Sequence, residues 1–461
     1  SSNALYVIDG VPMYNFGGGG GTEFDSRGAT ESIADLNPED ILSISVLTGA
    51  AAAALYGSQA ANGAVMITTK KGESGKLKAS FSSNTEFLNP FILPEFQTSY
   101  GTGLNGKSGS SGIYSYGSYI PEGSRYNYSP KSYFQTGHTY TNALSVSGGT
   151  DRNRTYFSAA TVNSDGIIPN NKYDRYNFTF RNTSYFLKDK LKIDASASYI
   201  IQRDQNMTNQ GVYSNPLVPA YLFPRGNDFD VYRSFERYNS ASKLMEQFWS
   251  EDLVGDLRMQ NPYWINYRNL RNNDKKRYML SLTASYDILD WLNLAGRVRI
   301  DNASNLFTQK LFASSNATIT EGGNNGHYTE ARTNDTQTYA DLMLNLDKTF
   351  AEDYSLVANL GASINYISSD ELRYGGPIQE NGLANVFNVF DLDDVKKRAT
   401  KSGWHDETQS IFGSIEFGWK KSLFLTLTGR NDWASQLAGS NQSSFFYPSA
   451  GLSWVPTGLW D

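Results

Sequence analysis

Residues 155–204 read TYFSAATVNSDGIIPNNKYDRYNFTFRNTSYFLKDKLKIDASASYIIQRD. Tyr176, Phe178 and Phe180 fall on one side of a two-residue period, and Asn177, Thr179 and Arg181 fall on the other. Farther on, Leu191, Ile193, Ala195, Ala197 and Tyr199 alternate with Lys192, Asp194, Ser196 and Ser198. A period of two is the mark of a strand with one apolar and one polar face.

The same alternation recurs along the chain. Tyr278, Leu280, Leu282, Ala284 and Tyr286 make one apolar face, and Leu292, Leu294, Gly296, Val298 and Ile300 make the next, opposite Asn293, Arg297, Arg299 and Asp301. Leu342, Leu344 and Leu346 oppose Asp341, Asn345 and Asp347; Leu356 to Ile364, Ile411 to Trp419 and Leu423 to Gly429 continue the pattern. About twelve such strands are expected, most of roughly 10–13 residues, the length that crosses a bilayer at a tilt. Short turns such as LKDK, DILD and WKKS alternate with long polar segments at 88–139, 203–273, 303–334 and 367–407. Short turns at one end and long loops at the other fit an outer-membrane barrel. Tyr199, Tyr286, Trp291, Trp419 and Trp433, near strand ends, are suited to the two lipid interfaces. A soluble all-β protein with a core face and a wet face would alternate in the same way, so periodicity leaves both architectures open.

Composition narrows the function. The 461 residues carry 40 Lys and Arg against 46 Asp and Glu, a net charge of −6, with the basic residues scattered singly. That excludes the basic patch of a nucleic-acid binder. The 30 Tyr, 25 Phe and 41 Gly suit strands and polar turns, and the absence of cysteine rules out disulfides and thiolate metal sites. No apolar run of helix-spanning length exists, which leaves a β-barrel open. His138, His327 and His405 lack metal-binding spacing; the glycines at 17–21 lack the phosphate-loop form; YGSQAANG lacks the context of a nucleophile elbow; and DFDVYRSFE at 228–236 lacks the central glycine of a calcium loop. No enzymatic activity, cofactor or metal is expected.

Residues 1–76 differ from the rest. LYVIDGVPM at 5–13 reads as a short strand closed by Asp9, Gly10 and Pro12. NPEDILSISVL reads as a Pro38-centred turn followed by a strand. In TGAAAAALYGSQAANGAVMITTKKG, residues 48–72, Ala50 to Ala54 read as one or two helical turns, Gly57 as their left-handed exit and Val65 to Ile67 as a buried strand.

LYVIDGVPM at 5–13, IADLNPEDILSISVLTGAAAAALYGSQAANGAVMITTKKG at 33–72 and RNDWASQL…NQSSFFYPSAGLSWV at 430–455 resemble the SusC-like TonB-dependent transporters of Bacteroidetes outer membranes. The chain departs from the family's spelling at Gln59, where arginine is common, and at Gly49, where an acid is common. The resemblance implies a mixed α/β plug inside an all-β transmembrane barrel of about 22 strands. It places the C-terminal part of the plug at 1–76 and the N-terminal part of the barrel at 77–461. It implies that the plug motif comprises Asp9, Gly10, Pro38, Asp40, Ala53, Tyr56, Gly57, Asn62, Gly63 and Thr68. It implies import of an oligosaccharide, alternatively a peptide, driven by TonB through a segment outside this chain, with a SusD-like surface lipoprotein as lid and a dimer of transporter–lid pairs. A siderophore or cobalamin transporter and a secreted β-rich adhesin are weaker alternatives. Arg297, Arg299 and Glu416 are candidates to line the lumen or to hold the plug to the wall. Tyr114, Tyr116, Tyr126, Tyr221, Phe223 and Arg225, in aromatic-rich long loops, are candidates to touch substrate or partner, by stacking on a sugar face or gripping a peptide.

Overall fold

The computed structural model describes residues 4–16, 31–47, 56–108, 112–124, 128–250, 259–351 and 353–456. The expected alanine helix at 50–54, with Ala53, the glycine run at 17–21 and Tyr126 lie outside the described residues.

The first four strands, β1 (Leu5–Ile8), β2 (Val11–Met13), β3 (Ile41–Leu47) and β4 (Ala64–Thr69), form a small mixed sheet in the order β2-β1-β4-β3. Asp9 and Gly10 do not close the chain off after β1. They turn it into a two-residue hairpin, with φ of 50° and 82° and Ile8 opposite Val11. Asp-Gly is the preferred pair for a turn that needs two positive φ values. β1 also pairs in parallel with β4. Pro38 opens a short 3₁₀ turn capped by the Asn37 side chain, which accepts from the Glu39 amide at 3.2 Å. Gly57 has φ of +76°, the left-handed exit expected of it. Gly63, at φ +98°, turns the chain into β4 through its amide bond to the Ala60 carbonyl at 2.9 Å. Leu5, Val7, Ala60 and Ala64 pack on one side of the sheet, with Tyr56 against them; Ile8, Met13 and Ile67 pack on the other. Asn62 and Thr68 are exposed.

Twelve antiparallel strands form the second sheet: β5 (Gly75–Leu88), β6 (Gly137–Gly149), β7 (Asn153–Asp165), β8 (Lys172–Phe186), β9 (Leu191–Gln205), β12 (Asn269–Leu289), β13 (Leu292–Leu311), β14 (His327–Phe350), β15 (Tyr354–Pro377), β16 (Arg398–Trp419), β17 (Leu423–Ala434) and β18 (Ser444–Trp454). Each pairs with its neighbour in chain order, apart from a hairpin, β10 (Glu236–Asn239) and β11 (Leu244–Gln247), that sits between β9 and β12.

Burial decides between the two architectures left open by periodicity. The polar faces are the buried ones: Asn177, Arg181, Asp194, Arg277, Asp301 and Asp341 all have less than a tenth of their surface exposed. The apolar faces point out, with Leu282 at 49 %, Leu342 at 56 %, Leu360 at 59 % and Leu427 at 48 % exposed. Register joins them into one belt. Ala195 faces Leu282, Leu282 faces Val298, Leu344 faces Leu360, Ala358 faces Ile415 and Ile415 faces Leu427. A soluble sandwich reverses this arrangement; a barrel wall in lipid requires it. Tyr278 and Tyr286 bracket the belt on β12, eight residues or about 27 Å apart along the strand. Tyr286 and Trp419 mark the turn end, while Tyr199, opposite Tyr278, and Trp433 mark the other.

Strand lengths correct the expected ones. β12 to β16 run 21, 20, 24, 24 and 22 residues, well beyond what the membrane needs. Residues 303–311, 327–334, 367–377 and 398–407 are therefore strand, not loop. Beyond the belt polar residues take both faces, so side-chain alternation fades while the backbone ladder continues and residues such as Gln309, Thr329 and Ala331 stay buried.

Two consequences are measurable. Leu282→Arg places a charge at the middle of the belt and costs about 2–4 kcal/mol of folding free energy in lipid vesicles. The same change at lumen-facing Ser281 costs much less; equal costs would contradict the assignment of faces. Gly57→Ala adds a methyl in the left-handed region, worth roughly 1–2 kcal/mol, and that methyl collides with the Asp432 carboxylate on β17. Limited proteolysis of the variant should cut the first 70 residues sooner than in wild type while the strands stay resistant.

Candidate functional site

Two assemblies of polar residues stand out: the contact between the small sheet and the wall, and a cleft among the long loops.

At the first, three wall arginines repeat one geometry. Arg277 on β12 gives Nε and Nη2 to Asp301 on β13 at 2.8 and 2.6 Å, and its Nη1 reaches Asp35 at 2.8 Å and the Ser32 carbonyl at 2.7 Å. Arg181 on β8 gives Nε and Nη2 to Asp194 on β9, both at 2.8 Å, and its Nη1 reaches Thr69 at 2.6 Å and Asp9 at 3.1 Å. Arg297 on β13 grips Asp341 on β14 at 2.9 and 2.6 Å, and its Nη1 reaches the Asp9 carbonyl at 3.1 Å. In each, a carboxylate on the next strand holds the guanidinium in a two-pronged pair, which leaves one nitrogen aimed at the small sheet.

Other groups complete the contact. Lys275 takes the second oxygen of Asp35 at 2.7 Å. Asp40 accepts from the Tyr156 hydroxyl at 2.8 Å and from Thr179 at 3.0 Å. Arg299 donates to the Ile8 carbonyl at 3.3 Å, and Gln337 both donates to the Pro12 carbonyl and accepts from the Tyr14 amide at 3.0 Å. Asp9 is bonded at both carboxylate oxygens to Thr69, which ties the hairpin to β4. A cavity of about 90 Å³ remains between sheet and wall, bordered by Asp9, Asp40, Arg181 and Asp194, with room for several waters. Above it, Tyr14 and Phe16 meet Trp404 of β16, with ring centroids 5.8 and 6.4 Å from the indole.

Arg297 and Arg299 thus hold the small sheet to the wall, the second of the two roles expected of them. Glu416 faces inward but bonds to Thr426 of the wall at 3.2 Å. Asp9, Asp40 and Gly57 touch the wall; Pro38, exposed, and Gly10, beside Arg297, shape turns. Sequence reasoning missed Lys275, Arg277, Trp404 and the role of Arg181. For Arg181 and Arg277 the signal was present: a charged residue at an inward position, with an acid inward on the next strand.

The second assembly is built from loops. The segments 89–136 and 206–268 enclose an aromatic core of their own, with Tyr133, Phe223, Phe229, Trp249 and Tyr263 buried together. Two short helices, α1 (Leu217–Tyr221) and α2 (Pro262–Arg268), feed it. Asn261, fully buried, caps α2 by accepting from the Tyr263 amide at 2.8 Å and donates to the carbonyls of Tyr232 and Phe248. Phe223 is 1 % exposed at the centre of this core, which corrects its assignment as a ligand contact: its ring is already covered by Phe229 and Trp249.

Tyr114, Tyr116, Tyr221 and Arg225 do come together. With Phe96 they border an open cleft of about 390 Å³. Tyr114 and Tyr116 are 45 % and 67 % exposed. They ride a narrow loop in which Gly103 exchanges backbone bonds with Tyr114 and Tyr116 at 2.9 and 3.0 Å. Arg225 is 6 % exposed; its Cζ lies 4.1 Å from the Phe96 ring centroid and its Nη2 donates to the Tyr221 carbonyl at 2.9 Å. Burial pushes the Arg225 guanidinium below its ordinary pKa and the neighbouring Tyr128 phenol well above its own.

Comparison with known proteins places the chain. A model of the TonB-dependent receptor plug domain matches residues 1–64. TonB-dependent receptor P3 of Formosa agariphila is 24 % identical over 427 residues, covering 90 % of this chain and 39 % of that protein. TonB-dependent receptor SusC of Bacteroides thetaiotaomicron is 22 % identical over 479 residues, covering 98 % of this chain and 44 % of that protein. The open-open RagAB peptide importer superposes with a TM-score of 0.72 at 19 % identity, covering 98 % of this chain and 50 % of that one. The unliganded ferric citrate transporter FecA gives 0.54 at 11 % identity, covering 98 % and 51 %. The chain therefore spans about two fifths to one half of the length of these proteins. Plug match, relatives and inside-out wall agree: residues 1–64 match the TonB-dependent receptor plug domain, the chain as a whole is similar to SusC-like TonB-dependent receptors, and its twelve-stranded sheet has the build of an outer-membrane β-barrel wall.

Proposed function

We propose that the full protein imports oligosaccharides across the outer membrane, with energy delivered through TonB and a SusD-like lipoprotein closing the extracellular end. Residues 1–76 serve as the C-terminal part of the plug and 77–461 as the N-terminal part of the wall. The observation that carries the cargo class is the cleft at the loop end, where exposed Tyr114 and Tyr116 and partly exposed Tyr221 present flat rings beside polar groups. Such rings stack on the apolar faces of sugars and leave ring hydroxyls to the polar neighbours.

The path inward runs over the plug. Tyr14 and Phe16 with Trp404 present further aromatic surface inside the barrel. A polar, wet contact between plug and wall suits a plug that must move. Its bonds exchange for water when it shifts, whereas a dry apolar contact would expose apolar surface. A peptide cargo is the alternative, since the RagAB neighbour is a peptide importer and a tyrosine cleft also grips peptides.

Tyr116→Ala together with Tyr221→Ala should weaken oligosaccharide binding to the purified full-length receptor by about tenfold or more, as expected for losing two stacking rings. Growth of the native host on that oligosaccharide should slow in parallel. Calorimetry showing unchanged glycan affinity, or a growth defect confined to peptide medium, would overturn the glycan reading.

A further inference from the structure

Arg225 differs from the three arginines that pair across the wall. Arg181, Arg277 and Arg297 each hold a carboxylate. Arg225 is as buried as Arg181, yet among the described residues no Asp or Glu pairs with it and its Nη1 has no hydrogen-bond acceptor. Its Nη2 donates to the Tyr221 carbonyl. The rings of Phe96 and Tyr128, 4.1 and 5.8 Å from its Cζ, offset part of the charge but accept no N–H. An unpaired buried guanidinium destabilises the fold that contains it. This one also borders the aromatic cleft.

We infer that Arg225 is an anion subsite of the loop cleft and that the cargo is an acidic oligosaccharide, its carboxylate or sulfate meeting Arg225 while its ring stacks on Tyr114, Tyr116 or Tyr221. The inference rests on the glycan reading above. A guanidinium offers a planar fork that matches an acidic group, and in a site walled by aromatic rings the pair is poorly screened. Because Nη1 is covered, binding brings a shift of the rim side chains. Neutral sugars gain the stacking alone, so the subsite selects for charge and not for size.

The test is calorimetry on the full-length receptor in detergent with three probes: a galacturonic acid pentamer, its fully methyl-esterified form and an acidic pentapeptide. The acid pentamer should bind about ten- to hundredfold more tightly than its ester, the range of a charge-assisted hydrogen bond. Arg225→Gln should erase that preference, and Arg225→Lys should restore part of it. Since the ester comparison needs only the wild-type protein, a variant that fails to assemble does not remove the test. Equal affinity for acid and ester overturns the subsite and leaves glycan import standing. Binding of the peptide alone, lost in Arg225→Gln, overturns the glycan reading and retains the subsite. Binding of none of the three overturns the proposal.

Discussion

The structure depends on arginines that use their guanidinium twice. A carboxylate on the adjacent strand takes two N–H groups, and the plug takes the third. Asp301, Asp194 and Asp341 do this for Arg277, Arg181 and Arg297. The arrangement solves two problems together. Each of these three arginines is paired across neighbouring strands even before the plug is considered, so plug movement leaves none of the three without a carboxylate. The plug nevertheless sits in a defined place, because Asp35, Asp9 and the Ser32 carbonyl meet fixed donors. The proposed role, blocking a lumen and yielding to a pull, requires both properties.

Much of this was legible in the sequence. Period-two alternation in LKIDASASY and YMLSLTASY located the strands and their two faces, and Arg297 and Arg299 were legible as candidates to hold the plug, whereas Arg277, Lys275 and the role of Arg181 were not read. What alternation cannot say is which face is buried. Leucine out and aspartate in looks the same as leucine in and aspartate out, and only packing tells them apart. Strand ends were the weakest reading. In HYTEARTNDTQTY of β14 both faces are polar, so the sequence resembles a loop although every residue is laddered to β13. The Asp9-Gly10 turn was read as an end when its dipeptide signalled a hairpin.

Loops were read less well for a physical reason. Aromatic composition does not reveal whether a ring meets solvent or another loop. Phe223 and Tyr116 come from similar stretches, yet one is sealed in a core and the other is two-thirds exposed. The core matters to the site because it makes the loops rigid: with Asn261 knotting three segments and Phe223 filling the centre, the cleft beside Arg225 is held open rather than collapsed. Order in such loops reduces the entropy that a ligand must overcome.

The central claim is that buried ion pairs, and not apolar packing, seat the plug. Single-channel conductance of the full-length receptor under rising urea measures plug release directly. Asp35→Asn removes the charge that both Lys275 and Arg277 face, and breaking such a buried pair costs about 3–5 kcal/mol. The account predicts that channels open at clearly lower urea in this variant while the barrel itself stays intact. Opening at the wild-type urea concentration would contradict it.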